Sequence, residues 1–333
     1  MIKQVVPVAI AVLAYGDNLL LATRHQDQHQ GGKLEFVGGK IEQGETPIHA
    51  LCREVAEEIG LDISGNLAVK LGRIYHDYGD KQVQLYVYHI ELTDEQYNAY
   101  QAQTVGLLGQ TLAFYKRADV IGSGERFPDA NRAILRWLTL PSEIVISQSV
   151  ADSGSIKYWL DKYCKLAPNA LLYIRSQTDP SLSVDLMLAV SLLRADIGFV
   201  VTLSDFMVYQ MRSVKVNIAF IKLNTAQMWS LAKGELPDIP SNIPLLVSVH
   251  NQKEARLCND LAEVYPIAGA FVSPVKATKT HPDAQAIGWS GLSELGKCIN
   301  VPVIALGGLT PKDFNKVRQY GAVAVSGIRG FAT

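Results

Sequence analysis

Hydrophobic and polar positions give the two halves of this chain different rhythms. Near the start, Val5–Tyr15 and Asn18–Thr23 are β-rich runs split by Gly16-Asp17, the turn chemistry of a hairpin, so a first domain begins with strands. A loop carrying Arg24, His25 and His29 follows, and residues 34–36 lead into Gly38-Gly39. Thr46 and Pro47 then supply a cap and a first-turn proline for a helix that Gly60 closes. Over residues 82–92, Val83, Leu85 and Val87 alternate with Gln84, Tyr86 and Tyr88, the period of a half-buried strand. Residues 93–104 read as polar loop. A helix is expected to begin at Pro128-Asp129-Ala130-Asn131 and run through Trp137, before Leu140-Pro141-Ser142 breaks the pattern. The expected domains are therefore 1–142 and 143–333.

Beyond that break, strand-like runs at 144–147, 170–174, 198–202, 217–223, 244–249, 269–272, 301–305 and 322–326 alternate with helix-like segments. Eight such βα units are what a (β/α)8 barrel needs, and the domain is short for that fold, so trimmed helices and loops are expected. The length of 333 residues agrees with two domains, because one hydrophobic core rarely organises so long a chain.

Composition narrows the partners. Apolar residues make up 48% and charged residues 19%, a globular balance, and a formal net charge of -1 offers no basic excess for a nucleic-acid polymer. A free nucleotide is the better expectation. Cys52, Cys164, Cys258 and Cys298 form no zinc or disulfide spacing, so reduced thiols are expected. No run reaches the roughly 18 apolar residues of a membrane span, and the first apolar stretch lacks the marks of a cleaved signal, which points to the cytoplasm and away from a membrane partner.

The candidate chemistry sits in residues 39–61. Glu54, Glu57 and Glu58 stand at i, i+3 and i+4, on one helical face, where three carboxylates repel unless a cation neutralises them. Three glutamates alone would ordinarily be a solvated acidic face; the glycine-rich entry and Arg53, which can fork to a carboxylate and orient it, argue otherwise. Hard oxygen donors suit Mg2+ or Mn2+ and the phosphates such ions bridge. Gly38-Gly39 lets the main chain come close and offers the Gly38 carbonyl as a further ligand, and Lys40 follows as a phosphate contact. Catalysis would then be displacement at phosphorus by water, with Glu54 or Glu57 as general base and Arg53 beside them.

The same segment, from Gly39 through Glu45, Arg53, Glu54, Glu57, Glu58 and Gly60 to Leu61, fits the Nudix box G-x5-E-x7-R-E-U-x-E-E-x-G-U, with U apolar, at every specified position. Chance agreement is on the order of one in a billion per starting position, so the motif is specific. Residues 1–140 resemble the MutT-type 8-oxo-dGTP diphosphatases through Ala22-Thr23-Arg24, His29, Lys33 to Phe36, Gly38 to Thr46, and Phe127-Pro128 with Ala130-Asn131. The resemblance implies an α/β/α sandwich and hydrolysis of 8-oxo-dGTP to the monophosphate and pyrophosphate. It also implies that Arg24 and His29 contact phosphate or sugar, that Glu35, Phe36 and Val37 line the nucleotide cleft, and that Asn131 reads the oxidised purine. Two departures stand out. Val37 replaces the family's proline, and the family's loop carboxylate aligns with Leu108, so the three box glutamates must suffice or Glu91 or Glu95 substitutes.

Residues 145–333 resemble thiamin-phosphate synthase and its TenI relatives, most strongly through Ser248-Val249-His250, residues 273–280, Ala305 to Gly308 and Ala324 to Gly327. The resemblance implies a barrel site for a phosphorylated, thiazole-like ligand made by Thr278, Lys279, Gly307, Gly308, Ser326 and Gly327. The upstream half departs from the family, with Ser204-Asp205 in place of a metal-binding Asn-Asp pair and Gln227 in place of a second carboxylate. Rival readings are a Nudix hydrolase of a thiamin-pathway pyrophosphate, a bifunctional chain with residual synthase activity, and a non-enzymatic sensor of phosphorylated ligands.

Overall fold

A computed structural model describes residues 5–26, 30–79, 81–175, 179–212, 215–278 and 285–332. The chain divides into two compact units, Met1–Thr139 and Leu140–Thr333.

The first unit is built on β1 (Val5–Tyr15) and β2 (Asn18–Thr23), followed by β3 (Leu34–Glu35), β4 (Val37–Lys40) and α1 (Pro47–Ile59). Then come β5 (Ala68–Asp77), β6 (Gln82–Glu91), α2 (Asp94–Tyr100), β7 (Leu112–Lys116), α3 (Arg117–Gly122) and α4 (Arg132–Trp137). The sheet runs β3-β2-β1-β6-β5, with β4 paired to β1 and β7 to β2. The long β1 is its spine: it pairs parallel with β6 along residues 5–14 and antiparallel with β4 from Val8 to Ala11. Ala50, Leu51, Val55 and Ile59 form the buried stripe of α1, which packs with Ala9, Ala11, Leu13 and Val37 into the core. Burial of that stripe fixes which residues of α1 face outward.

The predicted limits of β1, β2 and α1 agree with the structure. Thr46 accepts from the His49 N–H at 3.3 Å, and Gly60 ends α1 at φ 78°. Residues 93–104 are a correction, because 94–100 form α2. Thr93 and Gln96 make a reciprocal capping box, which satisfies the first-turn N–H groups of an otherwise polar helix. Strands β5 and β7 are additional elements, and residues 129–131 form a 3-10 turn before α4.

The second unit contains β8 (Glu143–Ile146), α5 (Val150–Ser153), α6 (Ile156–Tyr163), β9 (Leu171–Tyr173), α7 (Pro180–Leu193), β10 (Gly198–Thr202) and α8 (Leu203–Gln210). It continues through β11 (Ile218–Leu223), α9 (Thr225–Ala232), β12 (Leu245–Val249), α10 (Gln252–Ala262), β13 (Ile267–Val272), α11 (Gly288–Cys298), β14 (Val303–Leu306), α12 (Phe314–Gln319) and β15 (Ala324–Gly327). All eight expected strands are present, and they close as a parallel barrel, with β15 returning to β8 and β8 pairing with β9. Helices α5 and α12 span two turns or fewer, consistent with the economy expected of so short a barrel. No helix among the described residues is long and apolar enough to cross a membrane.

The capping box gives a direct prediction. Thr93→Ala should cost about 1 kcal/mol of stability, the usual worth of a lost N-cap. Urea unfolding of the full chain, followed by a probe in the first unit, measures it; an unchanged midpoint would show that α2 does not depend on its cap.

Candidate active site

Sterics at two glycines bring α1 against the sheet. Gly38 has φ 152°, and a Cβ there would run into the Ala9 carbonyl of β1. A Cβ on Gly39 would occupy the space of the Glu54 carboxylate. Removing both side chains lets the carboxylates of α1 lie over β4, and the Gly38 N–H points to Glu58 Oε2 at 3.4 Å.

Arg53 organises the acidic face. Its Nε and Nη2 fork onto the two Glu45 oxygens, each at 2.9 Å; Nη1 donates to Glu54 at 2.9 Å and Glu57 at 3.0 Å; Nη2 also reaches the Lys40 carbonyl at 3.0 Å. Every guanidinium N–H is thus used. The guanidinium holds the Glu45 carboxyl down at about 2. Glu54 is 16% exposed and Glu57 59%, and each keeps one oxygen that Arg53 does not take.

Glu58 lies deeper. Burial pushes its carboxyl up to about 7, and the charges of Glu35 and Glu54 push the same way against the Gly38 N–H. Glu35 is itself raised by burial, although Arg24 pairs with it at 2.6 Å. Among the described residues no three acidic, His or Cys side chains close into a metal cage. The crowded acids are short of positive charge and supply only hard oxygen donors, which suits a divalent ion in an open site shared with phosphate. Glu54, Glu57 and Glu58, with the Gly38 carbonyl, are the residues that would hold it.

Beyond this acidic face lie Tyr78 and a pair of phenyl rings. Arg24 lies near Tyr78, whose hydroxyl bonds to the Ala130 backbone. Phe36 stacks on Phe127 with centroids 5.6 Å apart, and the Lys33 amine donates to the Phe127 carbonyl at 3.1 Å. Asn131 is 7% exposed, and its side chain does not cap α4. Val37 requires a correction: its side chain is wholly buried in the core, so only its backbone can face the cleft. Lys40 is exposed at the end of β4. His29 lies outside the described residues.

Leu108 is 60% exposed on a loop that grips α1 from its C-terminal end. Leu107 N–H and Gln110 Nε2 both donate to the Glu58 carbonyl, while His25 Nε2 meets the Leu108 carbonyl at 2.9 Å. The loop therefore reaches the site without bringing a carboxylate. Neither substitute does so: Glu91 accepts the Gly16 N–H at the β1–β2 turn, and Glu95 lies in the first turn of α2. Tyr78 and Gln110 were not singled out from sequence. Both act through tertiary contacts that no local spacing announces.

In the barrel, Gly307 and Gly308 follow β14 at φ 104° and 65°, where a Cβ would strike the segment from Pro274 to Ala277. Gly327 is likewise crowded by Phe331 and the Leu309 carbonyl. The Ser326 hydroxyl is fully buried and donates to the Ile144 carbonyl, which leaves the expected phosphate contact to its backbone N–H. Thr278 is partly buried, and Lys279 lies outside the described residues. Asp205 and Gln227 each serve a capping box at a helix N-terminus. Asp205 bonds Thr202, and Gln227 bonds Asn224.

Comparison with known proteins finds relatives of both units. A NUDIX domain model matches residues 5–106, and a thiamine monophosphate synthase model matches residues 239–331. An 8-oxo-dGTP diphosphatase of Haemophilus influenzae is 31% identical over 138 residues, 41% of this chain and 93% of that protein. One from Proteus vulgaris is 42% identical over 69 residues, 21% of this chain and 60% of that protein. A thiamine-phosphate synthase of Methanococcus vannielii is 30% identical over 93 residues, 28% of this chain and 43% of that protein. Through its first unit, which carries an intact box of glutamates, the chain belongs to the Nudix hydrolases and is a pyrophosphohydrolase.

Proposed function

We propose that the first unit hydrolyses 8-oxo-dGTP to the monophosphate and pyrophosphate, with Mg2+ or Mn2+ held by Glu54, Glu57, Glu58 and the Gly38 carbonyl. The observation that carries this reading is the run of groups from the carboxylates of α1, through the charge of Glu35 and its partner Arg24, to Tyr78, whose hydroxyl bonds the backbone of Ala130, the residue before the buried Asn131. The names of the Haemophilus and Proteus relatives support the choice of substrate.

A divalent ion supplies positive charge against the phosphate oxygens. The protein does the rest. Arg53 fixes Glu54 and Glu57 so that the free oxygen of either can accept a proton from the attacking water. Arg24 and Lys40 meet phosphate charge, and the two phenyl rings give the base an apolar wall. Asn131 presents a donor and an acceptor to the base edge. In the barrel, the backbone at Gly307-Gly308 is the proposed cradle for a phosphorylated ligand.

The test is kcat/KM of the full-length protein, with Mg2+, for 8-oxo-dGTP, dGTP and hydroxymethylpyrimidine pyrophosphate, with products identified. Preference for 8-oxo-dGTP with release of pyrophosphate supports the reading, and preference for the pyrimidine pyrophosphate overturns it in favour of a thiamin-pathway hydrolase.

Glu57→Gln should lower kcat by roughly 10²–10⁴-fold, the usual worth of a general base, with an unchanged unfolding midpoint because this carboxylate is largely exposed. Asn131→Ala should cost ~1–3 kcal/mol of discrimination between oxidised and normal guanine. Equal loss on every nucleotide would remove its base-reading role.

The Glu45–Arg53 pair predicts a pH dependence. Arg53 lowers the folded-state pKa of Glu45 from 4.5 to about 2, so the pair stabilises the fold fully above 4.5 and loses that contribution as pH falls through 2. The stability gap between wild type and Glu45→Gln should therefore be present at about pH 6 and close over that acid window. Denaturant unfolding across pH reads it, and a gap that widens in acid would contradict the assignment.

A further inference from the structure

The interior of the barrel repeats with period two. Ile144 and Ile146, Leu171 and Tyr173, Phe220 and Leu246 all belong to the apolar cluster inside it. The next inward position on β11 is Lys222 and on β12 is Ser248, so an amine stands where the stripe calls for an apolar side chain. Lys222 Nζ donates to Ser248 Oγ at 2.9 Å and lies 5.8 and 5.9 Å from the ring centroids of Tyr173 and Phe271. It is partly buried at the C-terminal end of its strand, the end at which barrels place their chemistry.

No carboxylate among the described residues pairs with this amine. Its charged neighbour is another cation, Arg175, which continues the stripe of Leu171 and Tyr173 and has no ion-pair partner among the described residues. The carboxylate of Asp205, which reaches Tyr173 electrostatically, is bound by the N–H and hydroxyl of Thr202. Burial and Arg175 bring the amine down to about 8, so about a tenth is neutral and nucleophilic at pH 7, far more than for an ordinary lysine. Two adjacent cations without a counter-ion favour an anionic ligand between them.

We propose that Lys222 condenses with a small anionic aldehyde or ketone in the barrel mouth to form an imine, with Arg175 holding the charged group of the ligand. The Nζ lone pair forms the new C–N bond as the carbonyl π pair moves to oxygen, and a proton passes from nitrogen to that oxygen through the Ser248 hydroxyl. Loss of the second N–H proton together with the carbinolamine hydroxyl releases one water and leaves the C=N bond. No oxidant or reductant is consumed.

The test treats full-length protein with dihydroxyacetone phosphate or uncharged dihydroxyacetone, adds borohydride to reduce any imine, and maps the adduct by peptide mass spectrometry. The expected result is an adduct at Lys222 at least about tenfold above any other lysine, and at least about tenfold more with the phosphate ester, the scale of one charge-assisted contact. Lys222→Arg should abolish that adduct, and Arg175→Gln should remove the advantage of the phosphate ester. Labelling spread evenly over the lysines, or equal labelling at Lys222 by the two probes, overturns the proposal, and both are read on wild-type protein.

Discussion

The guanidinium of Arg53 is the contact on which the first unit's chemistry depends. It uses every N–H at once, on Glu45, Glu54, Glu57 and the Lys40 carbonyl, and so ties the loop before α1, the helix itself and the end of β4 into one rigid piece. Without such a clamp, carboxylates at helical i, i+3 and i+4 spacing would spread away from one another into water. With it, one oxygen of Glu54 and one of Glu57 stay directed and unspent, while Glu58 is pressed into the protein beside Glu35. The result is a negative pocket that a divalent ion and a polyphosphate can complete together.

The box was legible because each of its identities answers a local requirement. Glutamate spacing follows helical geometry, Thr46 and Gly60 bound the helix, and the glycine pair removes atoms where helix and sheet nearly touch. The eight barrel strands were legible for a similar reason, since each is a short apolar run between helix-like segments. Legibility failed where meaning lies in distant contacts. Tyr78 and Gln110 matter because Ala130 and the Glu58 carbonyl lie beside them in space, and Val37 sits in cleft-lining sequence but turns its side chain to the core. In α2 a capping box bounds a mostly polar stretch, and the helix is held by Tyr97 and Tyr100, whose packing partners come from distant strands and the core.

Several polar positions of the barrel serve its own structure. Asp205 and Gln227 close helix N-termini, and the Ser326 hydroxyl donates across the strand pair that completes the barrel. The Asp205 carboxylate, bound by the N–H and hydroxyl of Thr202, is a poor ligand for a pyrophosphate-bound cation. Lys222 runs the other way, since it places a reactive group where packing alone would call for an apolar one.

The most direct measurement of the central claim, that α1 and the glycine pair build one metal site, is Mn2+ binding by electron paramagnetic resonance to the full-length protein and to Gly39→Ala. A methyl group there displaces the Glu54 carboxylate, so the variant should keep its helical content and lose Mn2+ affinity. Unchanged Mn2+ binding by folded Gly39→Ala would contradict the account, because the ion would then be held without the carboxylate that Gly39 makes room for.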